Sequence, residues 1–482
     1  MNSESQALAI VSPNTVLANA LLRTIDLLRP KVNQLKPSHI EFVVGTQING
    51  APHIGTNLVQ TIAFLLARLA RRRFSLDTRV RFVALDNAPY DVVLDPDTHH
   101  AYQTTYFHAL GEAGVASVID KHYRAFFESL SDATDAEYEI ETYTQQQRQP
   151  SYRVEFLESL RHVEEIRWWL APSHGVFHVR IPCPTCGWAE KRSERTELAD
   201  VGVAHAVFKA VCYEHGQYQV TVDGSPDTYL DLNTLYRNLV KERATLHDAT
   251  AMPVMVKGGD WAFGCQLVDG ALAAMGTADP RLPMRVFAPQ ILSHTGAKLS
   301  KSLIREQDIR RPSDVPPWML DTSVWEGGSV DNYVDSLIWL AEGFLSDPKH
   351  FFRSYTTQEI DQLMAQRPKF SDGERIRGIA IYKRYFDLIA SGEKTIEVRV
   401  AYSSMRRITS GQLLRFECRE EECVTRVKRV ANYQSFDEMF DHEDAAKINP
   451  HAKRDVQLAE IRKIFPPHKE ALGVIAIEVE RV

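Results

Sequence analysis

A strand–turn–helix–strand unit near the amino end constrains this chain more than any other feature. Residues 38–46 form a short, apolar, β-branched run flanked by polar residues, which predicts a buried strand. Residues 57–73 place Leu58, Val59, Ile62, Leu65, Leu66 and Leu69 at helical spacing and close on Arg71, Arg72 and Arg73, cations that suit a helix C-terminus. Residues 79–86 read as the next strand. Such a unit favours a parallel sheet of Rossmann-like type. The turn between the first strand and the helix carries Pro52-His53-Ile54-Gly55-Thr56. Free N–H groups and the positive end of the helix dipole can receive phosphate there. Gly55 has no Cβ, so a nucleoside can approach the backbone closely. His53 supplies a hydrogen-bond donor for phosphoryl oxygens.

A second short motif, Gly296-Ala297-Lys298-Leu299-Ser300-Lys301-Ser302, follows a strand-like run at 285–292. Two lysines three positions apart on a glycine-containing loop can clamp a triphosphate and neutralise charge on departing pyrophosphate. Alone, this loop also reads as a solvated basic turn. Paired with the first motif, in this order and each after a strand, it makes an ATP site the leading expectation.

The pair resembles the HIGH and KMSKS elements of class I aminoacyl-tRNA synthetases. It is most similar to the class I lysyl-tRNA synthetases, whose first motif also ends in Thr. The resemblance covers roughly residues 38–305. It implies catalytic roles for His53, Lys298 and Lys301, and ATP contacts from Pro52, Gly55, Thr56, Gly258, Asp260, Ser300 and Ser302. The stretch Gly258-Gly259-Asp260-Trp261, with Gly264, resembles that family's Gly-x-Asp-His block, which implies a place for Asp260 beside the adenylate ribose. The segment from Ser117 to Leu130 resembles its next helix. The amino-acid pocket would be formed by Thr46, Gln47, Asn49, Asp86, Asn87 and Trp261. Three departures fall in that pocket. Gln47-Ile48-Asn49-Gly50 stands where the family has a Gly-Pro-Ser-Gly-like stretch, Trp261 replaces a histidine, and Asn87 replaces an acid. A lysine ammonium calls for a carboxylate partner, so the amide at position 87 leaves the amino acid open.

Between the two motifs, Cys183-Pro-Thr-Cys186 is followed, after a spacer of about 25 residues, by Cys212-Tyr-Glu-His215. Paired C-x2-C and C-x2-H knuckles suit a closed, structural zinc ribbon. His174 and His178 offer substitute ligands, and reduced core cysteines are the competing reading. Of the six cysteines, Cys265, Cys418 and Cys423 show no disulfide pattern, which points to a reducing compartment. No basic n-region precedes an apolar core at the N-terminus, and no apolar run approaches the roughly 20 residues that span a bilayer. The expectation is a cytoplasmic protein with no membrane partner. A net charge of −7 disfavours a nonspecific nucleic-acid coat but is compatible with a local basic face.

Four regions are expected. Residues 1–37 read as a helical extension whose single amphipathic helix stops at Pro30. Residues 38–302 form the Rossmann-like core with the zinc-ribbon insertion near 174–220. Residues 303–372 form a short helical connector, too short for a large anticodon-binding cage. Residues 373–482 resemble an ASCH domain, a relative of the PUA RNA-binding fold. That resemblance rests on Gly392, Lys394, Glu397 and Arg399 and covers roughly residues 374–482. It implies a PUA-like α+β barrel in which Lys394, Glu397 and Arg399 contact RNA. A surface salt-bridge cluster is the competing reading of those three. The fold class is therefore α/β with an added α+β module.

The function these readings imply is activation of an amino acid by ATP, with Mg2+ and Zn2+ as metals and a tRNA or tRNA-like RNA as acceptor. Two other readings stand beside it. One is a synthetase paralogue acylating a small amine or carrier. The other is a catalytically silent RNA-binding protein. The sequence leaves the oligomeric state unknown.

Overall fold

The computed structural model describes residues 24–170, 179–293, 296–299, 315–368, 376–402, 404–419 and 421–482. Ser300, Lys301 and Ser302 lie outside the described residues, as do His174 and His178.

Five strands build one parallel sheet: β1 (His39–Gln47), β2 (Asp77–Leu85), β3 (Glu137–Thr142), β6 (Ala251–Gly258) and β7 (Met284–Ala288). They lie in the order β7-β6-β1-β2-β3, and all four ladders are parallel. The chain starts in the middle, builds outward through β2 and β3, then returns to the other side of β1. The order reverses between β1 and β6, and ligands bind outside the carboxyl ends of strands at such a switch point.

The helix α1 (Ile54–Phe74) follows β1. The residues that announced it, Leu58, Ile62, Leu65 and Leu66, are buried against Phe42, Phe82 and Val254 of the sheet. Each such side chain removed from water contributes about 1.5–3 kcal/mol. Helix α2 (Ala125–Thr134) covers the same face, its Phe127 ring 4.7 Å from that of Phe82. Helix α5 (Val330–Ser346) packs there too. Its Tyr333 hydroxyl accepts from Asn57 Nδ2 at 3.2 Å, and Leu337 and Leu340 join the same core. Much of the supposed connector thus completes the core's helical layer.

Two further expectations differ from the structure. Pro30 occupies the first turn of a helix, Arg29–Leu35, where its missing N–H is not needed, while the part of the expected helix before Thr24 lies outside the described residues. The run 285–292 breaks at Pro289-Gln290 into Met284–Ala288 and Ile291–Leu292, since proline has no ladder donor.

The insertion carries its own core and a three-stranded sheet that includes β4 (His205–Cys212) and β5 (Gly216–Asp223). Helix α3 (Thr234–Thr245) leads back to β6, and α4 (Ala262–Ala274) follows it.

The C-terminal module is a five-stranded sheet of β8 (Arg377–Ala380), β9 (Ile396–Val400), β10 (Leu413–Cys418), β11 (Glu421–Tyr433) and β12 (Val474–Arg481). Its order is β8-β10-β11-β12-β9. The two edge strands curl toward each other closely enough for Arg399 of β9 to donate to the Ala380 carbonyl of β8 at 2.8 Å. The module docks on the core through buried Glu417, which accepts from Arg68 at 2.6 Å and pairs with Arg72 at 3.3 Å, both on α1. Asp132 of α2 binds Arg407 at 2.8 Å and Arg377 at 3.1 Å. Among the described residues, no helix is long and apolar enough to cross a membrane.

Candidate functional site

A cavity of about 490 Å3 opens at the carboxyl ends of β1 and β6. His53, Gly55, Thr56, Gly258, Asp260, Trp261 and Lys298 line it, with Thr46, Gln47 and Asn49. The first motif and the described part of the second, Lys298 and Leu299, therefore meet across the switch point. Pro52 is buried behind His53 and does not line the cavity.

His53 is the N-cap of α1. Its Nδ1 accepts the Gly55 N–H at 3.1 Å, and its Nε2 lies 3.3 Å from Thr56 Oγ1. Acceptance at Nδ1 places the ring proton on Nε2, the donor that faces Thr56 and the cavity. A Cβ at Gly55 would sit 3.0 Å from the imidazole Cε1, so glycine keeps the ring in place. The turn offers fewer backbone donors than its sequence implies. Thr56 and Asn57 donate their N–H groups to the His53 carbonyl at 2.9 and 3.1 Å, and Gly55 caps the ring. Attraction for an anion there rests on the helix dipole and the imidazole N–H.

Lys298 is held by a short antiparallel bridge to Leu292 and pairs with the Asp260 carboxylate. Asp260 lies in a single helical turn at the end of β6. A Cβ on Gly258 would come within 2.6 Å of Asp260 Oδ1, so that glycine admits the carboxylate. Lys298 and Asp260 thus form one unit.

Asp86 and Asn87, read from sequence as pocket residues, do not line the cavity. Asp86 is buried and accepts the Thr144 N–H at 3.0 Å, and burial pushes its carboxyl up to about 6. Asn87 is drawn into a buried network instead. It donates to Asp231 at 2.9 Å and accepts from Arg237 at 3.1 Å, while Arg180 binds the same Asp231 through two nitrogens. The lining contains six polar residues that sequence reasoning missed: Thr234, Arg237, Asn238, Lys241, Lys257 and Gln290. Thr234, Arg237, Asn238 and Lys241 sit on α3, which shows too little apolar periodicity to announce an inward cationic face, and Lys257 is on β6.

In the insertion, Cys183, Cys186, Cys212 and His215 converge, their donor atoms within 4.8 Å of one another. Cys186 and Cys212 sulfurs are 3.4 Å apart, and His215 Nδ1 lies 3.6 Å from Cys212 and 3.8 Å from Cys183. Tetrahedral zinc with bonds of about 2.0–2.3 Å sets its ligands about 3.5–3.8 Å apart, so the donor set fits that ion. Cys212 ends β4, and Gly216 opens β5 with φ +72, which turns the hairpin back around His215.

A second cavity, of about 330 Å3, lies where the C-terminal module meets the core. Lys394, Glu397 and Arg399 line it, with Arg71, Arg72 and Glu137 from the core side. The three module residues are not a surface cluster. Lys394 is buried, donates to the Ile396 and Ile448 carbonyls at 2.6 and 3.1 Å, and sits 3.3 Å from Glu397, which accepts from Arg399 at 2.8 Å. Helix α1 carries His53 at its first end and Arg71 and Arg72 at its last, so it joins the two cavities over about 30 Å.

Residues 379–481 match the family model of the ASCH domain. No curated protein matches the chain. Among solved structures, a protein of Pyrococcus furiosus is 28% identical over 22% of this chain and 96% of its own, with a TM-score of 0.20. Mycobacterium tuberculosis methionyl-tRNA synthetase bound by methionyl-adenylate is 12% identical over 68% of each chain, with a TM-score of 0.35. Archaeoglobus fulgidus tyrosyl-tRNA synthetase complexed with L-tyrosine is 13% identical over 70% of this chain and 92% of its own, with a TM-score of 0.30.

Proposed function

We propose that this chain activates an amino acid with ATP and passes the aminoacyl group to the 3′ end of a tRNA or tRNA-like RNA. The observation that carries the reading is the convergence of His53 with the Asp260–Lys298 pair at the switch point between β1 and β6. In the first step an oxygen of the amino-acid carboxylate attacks the α-phosphorus of ATP. The bond to the bridging oxygen breaks and pyrophosphate leaves with its charge. His53 Nε2–H and Lys298, with Lys301, stabilise the charge that develops on the phosphoryl oxygens. Bound Mg2+ would supply further neutralisation of the phosphate charge. Gly258 and Asp260 hold the nucleoside. In the second step an RNA hydroxyl attacks the acyl carbon, AMP leaves, and the hydroxyl proton passes to solvent. The ASCH-matching module supports RNA as the acceptor, with Lys394, Glu397 and Arg399 in the cavity that faces α1.

Amino-acid-dependent exchange of pyrophosphate into ATP, run over the twenty standard amino acids with and without total tRNA, tests the reading. Exchange with one amino acid is the expected result. Absence of exchange with every one, in both conditions, overturns it.

Zinc is proposed to close the Cys183, Cys186, Cys212 and His215 cluster as a structural ion. Elemental analysis is expected to find about one zinc per chain in the native protein and none in Cys212→Ser. Stripping with a strong chelator is expected to lower the melting temperature, because binding energy at a structural site is folding energy. A metal-free protein with an unchanged melt would refute the assignment.

A further inference from the structure

Helix α3 presents two cations to the main cavity from adjacent turns, Arg237 and Lys241. Both are more than nine-tenths buried, at 5% and 8% exposure. Neither has a carboxylate within ion-pair distance among the described residues; Asp231, which Arg180 holds, and Glu242 act on Arg237 and Lys241 from farther off. The Arg237 guanidinium donates to Asn87 Oδ1 and lies 5.8 Å from the Tyr143 ring centre. The Lys241 ammonium has no hydrogen bond or ion pair among the described residues. A third cation of the lining, Lys257, stands beside them, 3.0 Å from Asn238 Oδ1 and 5.5 Å from the Trp261 ring centre.

The local acids do not balance this charge. Glu242 is fully buried and is committed to Arg285 at 2.7 Å and Lys257 at 3.5 Å. Asp260 is the one carboxylate among the described residues of the lining, and Lys298 holds it. Uncompensated buried charge is unfavourable unless a partner arrives. Burial, with Lys257 nearby, brings Lys241 down to about 7, so an arriving anion would also restore its proton. A lysine side chain would add one more cation to this wall, and a neutral side chain would leave the wall as it is. A carboxylate would pair with it, in bidentate fashion at the guanidinium.

We propose that the amino acid activated in this cavity is acidic, its side-chain carboxylate held between Arg237 and Lys241 while its α-carboxylate faces the ATP side. The proposal rests on the activation reading above. It separates the two carboxylates by role: one is the nucleophile toward phosphorus, the other is the recognised group.

The test compares wild-type protein and Lys241→Met in pyrophosphate exchange with glutamate, aspartate, lysine and methionine, beside calorimetric binding of the two acids. Wild type is expected to use one of the acids at least 100-fold better, in kcat/KM, than lysine or methionine. Lys241→Met is expected to raise KM for that acid by 10-fold or more, to leave KM for ATP within 2-fold, and to melt no lower than wild type, since it removes a buried unpaired charge. Exchange led by lysine or methionine overturns the acidic assignment and leaves activation standing. Binding of an acid without exchange overturns activation alone. Neither binding nor exchange overturns both. A variant whose ATP KM rises while its amino-acid KM does not would assign the α3 cations to the triphosphate and overturn the proposal.

Discussion

His53→Ala is expected to lower kcat for amino-acid activation by about 100- to 1,000-fold, the range typical for loss of one preorganised donor to transition-state charge. The imidazole is fixed from two sides: Gly55 N–H holds Nδ1, and the proton this leaves on Nε2 faces the cavity beside Thr56. Alanine also removes the N-cap of α1, which costs about 1 kcal/mol of stability. The two effects separate in His53→Asn. Asparagine is among the preferred caps, so its melting temperature should match wild type. Its shorter side chain stops short of the position that Nε2 occupies, so activity should stay low. Exchange within 3-fold of wild type in either variant would remove His53 from the chemistry. The partner clamp offers a cross-check. Lys298 is paired to Asp260, so on the proposed nucleotide-holding role of that pair Asp260→Asn should loosen the lysine and raise KM for ATP.

Much of the core was legible because one-dimensional patterns matched one-dimensional constraints. The spacing of Leu58, Ile62, Leu65 and Leu66 identified the buried face of α1, and the strands on either side read as apolar runs. The two motifs located one wall of the cavity because loops that follow parallel strands share an edge of the sheet. Sequence could not place the wall formed by α3. That helix is mostly polar, and its burial arises because the insertion's core closes over it, a contact between residues far apart in the chain. The same distance hid the fate of Asn87. Its position after β2 suggested the pocket, but Asp231 and Arg237, which claim its amide, arrive from the far end of the insertion. Glu417 was silent for a related reason. It anchors the C-terminal module to Arg68 and Arg72, and nothing in its own neighbourhood signals a partner on α1.

Glu242→Gln is expected to be the most destabilising single change in the core, at about 3–5 kcal/mol, the range for removing one partner of a buried ion pair. Glu242 is fully buried, and its carboxylate answers Arg285 and Lys257, with Lys241 close enough to act on it. Burial alone would raise its pKa, but Arg285 and Lys257 outweigh that and hold the carboxyl down at about 2. The sign of the pH dependence follows. A carboxyl lowered on folding contributes stability that is fully present above its unfolded pKa, near 4.5, and is lost as pH falls from there toward 2. Wild type should therefore lose this contribution over that window in urea unfolding, and Glu242→Gln should lack that part of the acid sensitivity. A loss under about 1 kcal/mol at pH 7 would mean that the cations around position 242 find other partners. The consequence reaches the cavity. Lys257 lies between Glu242 beneath and Trp261 and Asn238 above, so the carboxylate that steadies the core also sets how much positive charge its floor presents to a substrate.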